Sequence, residues 1–276
     1  MESLSVSTWN IKGGFSRPDV ALPIVKELAT SNADIITLPD TWREDSIHST
    51  PTNRQRLISD ADLQEHGYAA LTSIVDTPVR PDDNYALYGY TTLYKNTLEP
   101  LETHEIRLGE RPAHHLALQL GQHSLNLISL YFTDISEARR LKQVDDLLAY
   151  AETLKDSPLV LTGDFNALHK DDRSARILRA APISAILSTI HIKNQLAPRL
   201  VEMATGTTLE RLENAGFIDL DPTHIPSMPG ILPLFQLDRV MAKDGATTEV
   251  IAVDTTIHQK TPLSDHRRLS TTLQLK

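Results

Sequence analysis

Nine short apolar runs recur along the 276-residue chain and constrain its fold more than any other feature. They are Leu4–Trp9, Ile35–Leu38, Tyr85–Leu93, His114–Leu120, Ser124–Tyr131, Leu159–Thr162, Phe235–Met241, Val250–Val253 and Leu269–Leu275. Several alternate with polar residues, as in Leu116-Ala117-Leu118-Gln119-Leu120, which is the two-residue period of a half-buried strand. Helical patterns separate some of them. Asp19–Leu28 reads as a helix capped by Asp19 with Pro23 near its start. Ser136–Leu154, with Leu141, Val144, Leu147, Leu148 and Tyr150, reads as a longer amphipathic helix. Residues 173–215 read as several helices broken near Pro182 and Pro198, the last around Thr208–Asn214.

The order of these patterns is neither strict alternation nor two clean halves. It fits one α+β domain over residues 1–276 with two mixed β-sheets packed together and helices outside them, a four-layer α/β/β/α sandwich. Two stretches read as long loops: 40–66, which is polar, and 221–233, which holds Pro222, Pro226, Pro229 and Pro233.

Composition narrows the chemistry. There are 27 basic and 36 acidic residues, a formal charge of -9, with no long basic run. Such a chain binds bulk duplex nucleic acid poorly, because nonspecific affinity comes from neutralising phosphates with Lys and Arg. Aromatic residues are 5%, so stacking platforms for single strands are sparse as well. The absence of cysteine excludes disulfides, thiol catalysis and thiolate metal sites. The N-terminus has neither a basic flank nor a long apolar core, and no run reaches the roughly 18 apolar residues of a membrane helix, so a cytoplasmic protein without a membrane span is expected. No feature marks an obligate protein partner.

Small acids, amides and imidazoles stand directly at the ends of the strand-like runs. Thr8-Trp9-Asn10-Ile11 closes the first, Asp34-Ile35-Ile36-Thr37-Leu38-Pro39-Asp40 the second, and Ser129-Leu130-Tyr131 the fifth. Leu161-Thr162-Gly163-Asp164-Phe165-Asn166 closes the sixth, Leu237-Asp238-Arg239-Val240 lies in the seventh, and Ser264-Asp265-His266 precedes the last. Taken singly, each is weak, since Asp and Asn suit turns through local backbone hydrogen bonds. Together and in this order they resemble the endonuclease/exonuclease/phosphatase superfamily, and the resemblance spans nearly the whole chain.

That resemblance implies a Mg²⁺- or Mn²⁺-dependent phosphoesterase acting on a phosphate-ester substrate, with nucleic acid among the candidates. Its motifs imply that Asn10, Asp40 and Asp265 hold the metal, a hard cation that prefers oxygen ligands. They imply that Asp238 orients one ring nitrogen of His266 while the other meets the phosphate. Asp164 would align or deprotonate the attacking water, Asn166 would hold that water or a phosphate oxygen, and Tyr131 would donate to the phosphoryl group. Which of His266 and Asp164 is the base stays open. One departure stands out: the family's Gln-Glu pair is Pro39-Asp40 here, and Asp reaches roughly 1.5 Å less far than Glu. Either the backbone moves inward, a water bridges, or Glu44, on the following loop, contributes.

Other residues are weighed on local grounds. His114 and His115 are adjacent on a strand and point to opposite faces, so at most one can approach the site. Asn10, Trp42 and His224 are candidate substrate contacts: Trp42 with Arg43 follows Asp40 and either lines the pocket or packs on the surface, and the loop of His224 precedes the Asp238 strand. Arg173, Arg176 and Arg179 repeat on one helical face, which reads as solvated and paired with Asp171 and Asp172. The resulting function is a phosphodiesterase with nuclease-type chemistry. A phosphatase of a small phosphorylated molecule or lipid headgroup, and a binding protein that keeps the fold without turnover, remain the alternatives.

Overall fold

Alternation in the strands builds two sheets with three apolar layers. The computed structural model describes residues 3–44, 57–76, 87–154, 156–180, 196–221, 226–228, 234–259 and 261–276. Its strands are β1 (Ser3–Thr8), β2 (Ile35–Leu38), β3 (Arg43–Glu44), β4 (Tyr68–Asp76), β5 (Leu87–Lys95), β6 (Glu102–Leu108) and β7 (Arg111–Leu120). They continue with β8 (His123–Tyr131), β9 (Leu159–Asp164), β10 (Ile218–Asp219), β11 (Asp238–Lys243), β12 (Val250–Ile257) and β13 (Leu269–Leu275). The first sheet runs β12-β13-β1-β2-β5-β3, with β4 also paired to β5, and the second runs β10-β11-β9-β8-β7-β6. Both are mixed, since β1/β2 and β8/β9 are parallel among antiparallel neighbours.

Leu4 and Val6 of β1, Leu125 and Leu127 of β8, and Val160 of β9 all point between the sheets into one buried cluster. The alternate residues face outward. Ile36 and Leu38 meet Ile24, Val25 and Leu28 of helix α1 (Ala21–Thr30). Ile128, Leu130 and Leu161 meet Val144 and Leu147 of helix α3 (Glu137–Ala151), and Leu209 and Leu212 of the helix Thr207–Asn214. Each such aliphatic side chain contributes about 1.5–3 kcal/mol when fully buried. The four-layer α/β/β/α sandwich follows.

Details differ from the sequence reading in instructive places. Val20, which has no capping side chain, precedes α1, so Asp19 lies one residue too early to cap it. Ser136 does cap α3, accepting from the Arg139 amide at 3.4 Å. Pro198 does not break a helix; it is the third residue of the helix Leu196–Met203, where a first-turn N–H has no intrahelical partner to lose. Pro182 lies outside the described residues. The stretch 40–66 is not all loop, because it contains β3 and the helix α2 (Asp60–Glu65). α2 is fixed by a capping box in which the Ser59 amide donates to Asp62 Oδ2 at 2.6 Å and Ser59 Oγ accepts from the Asp62 amide at 3.2 Å. Of the expected 221–233 loop, residues 221 and 226–228 are described, and Met228 bridges Phe235, so the strand after it starts only at Asp238.

β9 and β8 approach unusually closely at Gly163. Its φ is +149°, and a Cβ there would stand 1.9 Å from the Leu130 carbonyl oxygen. Gly163→Ala therefore has to separate the central parallel pair of the second sheet. We expect it to lower the unfolding free energy by at least about 3 kcal/mol, measured by urea denaturation. A loss below about 1 kcal/mol would show that the two strands part easily.

Candidate active site at the shared strand rim

Strand register brings the motif ends together. Thr8 pairs with Thr37 in the parallel β1/β2 ladder and with Leu269 in the antiparallel β1/β13 ladder. Asn10, Asp40 and the segment 264–266 therefore leave the first sheet at one edge. In the second sheet Tyr131 pairs with Asp164, and Asp164 with Asp238. Because side chains alternate, Asp164 shares the inner face of β9 with Val160, and Asp238 that of β11 with Val240.

Two hydrogen bonds join the rims across the sandwich. His266 Nδ1 lies 2.7 Å from Asp238 Oδ2, and Asn10 Nδ2 donates to Asp164 Oδ2 at 3.0 Å. Asp238 is fully buried; its Oδ2 also accepts from Ser227 Oγ at 2.7 Å, whereas its Oδ1 is buried with no partner among the described residues. Ser264 Oγ donates to the Asn10 carbonyl at 2.5 Å and accepts from the His266 amide at 3.1 Å, so the segment is strapped to the end of β1. Nδ1 being taken by Asp238, Nε2 is the ring nitrogen that remains for chemistry.

Burial disfavours charge on His266, but Asp238, with help from Asp164 and Asp265, outweighs it and pushes the imidazole up to about 9. Burial, and then Asp238, push Asp164 up to about 7, against the opposing pull of His266, Asn10 and the Asn166 amide. Near neutral pH the pair thus holds a cationic imidazole beside a carboxyl group that exchanges its proton. Asn166 has φ +48°, gives its amide to Asp164 Oδ1 at 2.9 Å and its Nδ2 to the Phe132 carbonyl at 2.9 Å. Tyr131 ends β8 with its phenol pushed up by burial and by Asp40.

The residues named for a metal are differently engaged. Asp40, at φ +49°, is clasped by the Arg43 guanidinium, with Nε at 2.9 Å from Oδ1 and Nη2 also on Oδ2. Asp265 accepts from Lys12 Nζ at 2.6 Å; burial works against its charge, but His266 and Lys12 hold its carboxyl below the usual range. Asn10 Oδ1 accepts from the Lys12 amide at 3.0 Å. Separately, Asp164, Asp238 and His266 each offer one ligand atom within 4.8 Å of one another, a group that could hold a metal ion. The His266 atom nearest Asp238 is already hydrogen-bonded to it, which favours proton chemistry there.

Trp42 is buried over Gly89 in the apolar cluster beneath α1, so its neighbour Arg43 is the side chain that reaches the rim. Glu44 is not on a loop: its backbone pairs with Leu87 in β3, while its side chain, like His224, lies outside the described residues. His114 points between the sheets, bonded to Ser73 and Thr92, and burial pushes it down to about 3; His115 faces outward to Asn126. Asp172 pairs with Arg239, and Asp171 with His169, rather than with the arginines of helix α4 (Arg173–Arg179). Sequence reasoning missed Arg111. Its guanidinium sits 4.5 Å from the centre of the Tyr131 ring, and its buried Nε has no partner among the described residues. β7 starts with Arg111, so only its neighbour across the ladder could have indicated it.

A profile of the Endonuclease/Exonuclease/phosphatase family matches residues 7–266. No curated protein matches the sequence. Among solved structures, an endonuclease/exonuclease/phosphatase from Beutenbergia cavernae is similar at 17% identity and TM-score 0.67, over 100% of this chain and 72% of that one. An AP endonuclease from Archaeoglobus fulgidus is similar at 16% identity and TM-score 0.61, over 97% and 98% of the two chains. D. rerio TDP2 complexed with a single-strand DNA product is similar at 14% identity and TM-score 0.58, over 99% of each. At these identities the likeness is one of fold.

The two titrations act on stability in the same direction. His266 contributes fully below its ordinary 6.5, and that contribution is lost as pH rises through about 9. Asp164, raised to about 7, is destabilising once ionised, so stability also falls between its ordinary 3.8 and about 7. Metal-free protein should therefore lose several degrees of melting temperature as pH rises from about 5 to about 9. His266→Gln should flatten the upper part of that profile and Asp164→Asn the lower. A profile that is flat or rising in the wild type would show that the rim is not coupled in this way.

Proposed function

The chain belongs to the endonuclease/exonuclease/phosphatase family, and from that premise we propose that it is a divalent-metal-dependent phosphodiesterase with nuclease-type chemistry. Members of the family are typically phosphoester hydrolases. The observation that carries the proposal is the cross-sheet pair of Asp238 and His266 beside the buried Asp164.

In this reading water attacks phosphorus in line with the leaving oxygen. Asp164, poised near 7, takes the proton from that water, held by Asn10 on one oxygen and the Asn166 amide on the other. His266, held cationic by Asp238, donates from Nε2 to a phosphoryl oxygen and stabilises the charge that develops there. Of the two groups, this reading makes Asp164 the base, because its carboxyl is the one raised to about 7 while His266 is held cationic. The Tyr131 hydroxyl, kept protonated, donates to a second phosphoryl oxygen, and the Arg111 guanidinium across its ring keeps the phenol in place.

The donor set suits Mg²⁺ or Mn²⁺ in kind, since Asn10, Asp40 and Asp265 offer hard oxygens and both carboxylates attract cationic groups. These three residues would hold the ion, which when bound neutralises charge on the phosphoryl and leaving oxygens. The substrate would be a phosphodiester reached at the rim, with single-stranded nucleic acid the leading candidate, as the fold is shared with TDP2 bound to a single-strand DNA product.

A panel of single-stranded DNA, RNA, plasmid, bis-p-nitrophenyl phosphate and inositol phosphates tests this with Mn²⁺ present. Turnover of a diester is expected, lost with EDTA and recovered on adding Mn²⁺. Asp164→Asn and His266→Ala should each lower it by at least about 10²-fold with the fold retained by circular dichroism. Wild-type rates in either variant would remove that residue from the chemistry. Turnover restricted to inositol phosphates would replace the diesterase by a phosphatase.

A further inference from the structure

The Asp40 that stands in place of the family's Glu is not an empty ligand. Arg43, three residues on, forks onto it, with Nε on Oδ1 and Nη2 on Oδ2, the bidentate contact in which guanidinium and carboxylate match. Asp40 is buried and Arg43 is largely so, with side-chain exposures of 3% and 23%. Several groups prepare the place of Arg43. Gly13, at φ +66°, makes room for its stem, as a Cβ there would lie 2.9 Å from Arg43 Cγ. The Arg43 amide donates to Ser16 Oγ at 2.8 Å, and its guanidinium stands 5.5 Å from the centre of the Tyr88 ring. The Gly13 amide in turn donates to the Asp40 backbone carbonyl at 2.6 Å, which ties the turn after β1 to the backbone that carries the carboxylate.

Lys12 does the same at Asp265, but from solvent, with side-chain exposures of 49% and 37%. An exposed pair of this kind is held weakly and gives way easily. A buried, bidentate pair does not, because removing the cation leaves an uncompensated carboxylate. The shorter side chain of Asp explains why an arginine can stand here. The carboxylate stops short of where the longer Glu would end, and the space in front of it accepts a guanidinium.

We infer that Arg43 is a resident cation at the metal position, so that a divalent ion binds this chain only by displacing Arg43 from Asp40. The inference rests on the proposed metal-dependent reading. It makes metal affinity a property of the Arg43–Asp40 pair, with Lys12–Asp265 a minor competitor. The Arg43 side chain, once displaced, remains at the mouth of the site as a cation for the phosphate that arrives with the metal.

Calorimetric titration of the full-length, chelator-treated protein with Mn²⁺ tests this at fixed pH and ionic strength. Arg43→Met removes the competitor but leaves Asp40 buried and unpaired, so Arg43→Gln, which keeps a donor, is measured beside it, with folding checked by circular dichroism. Both should lower the Mn²⁺ dissociation constant by at least about ten-fold, whereas Lys12→Met should lower it less than about three-fold. The melting temperature should show the same order: Arg43→Gln is destabilised without metal and regains more than the wild type on adding Mn²⁺. Unchanged or weaker affinity in a folded Arg43→Gln overturns the inference, as does a Lys12→Met effect equal to or larger than that of Arg43→Gln. Binding of no Mn²⁺ by either wild type or Arg43→Gln also overturns it. Turnover of bis-p-nitrophenyl phosphate by EDTA-treated wild type then decides separately whether the metal-dependent reading fails too.

Discussion

Asp238 is the group on which the rim depends. A fully buried carboxylate costs several kcal/mol to desolvate, and here the cost is offset by His266 Nδ1 at 2.7 Å and Ser227 Oγ at 2.7 Å. The carboxylate and its two partners come from three places in the chain: Asp238 from the start of β11, Ser227 from the segment before it and His266 from the segment before β13. Satisfying one carboxylate therefore fixes the edge of the second sheet against that of the first. The apolar layer between the sheets supplies the attraction, but it is nearly featureless along the strands. The rim supplies the register.

Between these extremes lies a third layer. Ser129 Oγ is approached by Thr37 Oγ1 at 2.7 Å, Tyr90 OH at 2.5 Å and Thr92 Oγ1 at 2.7 Å, so three hydroxyls of the first sheet converge on one atom of the second. His114 continues the network to Thr92 and Ser73, each at 2.8 Å, and burial keeps it neutral. The interior thus grades from aliphatic through hydroxyl to charged along the strand direction. Such a gradient lets the ionised groups stand on satisfied hydrogen bonds and not directly on hydrocarbon, and a one-residue slip would strand every hydroxyl on an apolar face. Thr8 Oγ1 and Thr162 Oγ1, buried without partners among the described residues, show that the layer is not completely paired.

How much of this the sequence discloses depends on where the determining contacts come from. β2 and β13 are legible to the residue, because their apolar alternation is interrupted at both ends. β6 is not, since Glu102–Leu108 is the edge of the second sheet and carries the charged, exposed side chains that edges favour. α2 was legible in principle from Ser59 and Asp62, whose capping box lies inside an otherwise polar stretch. The motif residues Asn10, Asp164, Asp238 and His266 could be read because Asp164 ends β9, Asp238 begins β11, and Asn10 and His266 lie within three residues of β1 and β13, so that strand register carries them to the rim. Arg43 follows the turn that Asp40 makes at positive φ, Lys12 itself stands at φ +50° before Gly13, and Arg111 arrives from a neighbouring strand. No local pattern encodes those arrivals.

Net charge is consequently a poor guide to the rim. The chain carries -9 overall, which opposes adhesion to a polyanion across its general surface. At the rim, Asp40, Asp134, Asp164, Asp238 and Asp265 stand against Arg43, Lys12, Arg111, Arg199 and His266, five acids against five cationic groups, and one of the acids is half protonated near neutrality. The local balance is close to zero or slightly positive. A phosphate approaching along the sheet edges meets a neutral, hydrogen-bond-rich mouth set in an acidic surface. Under the proposed phosphodiesterase reading, that arrangement would favour a phosphate able to enter the mouth, a chain end or single strand before a duplex, because an acidic surface repels the backbone of a long helix.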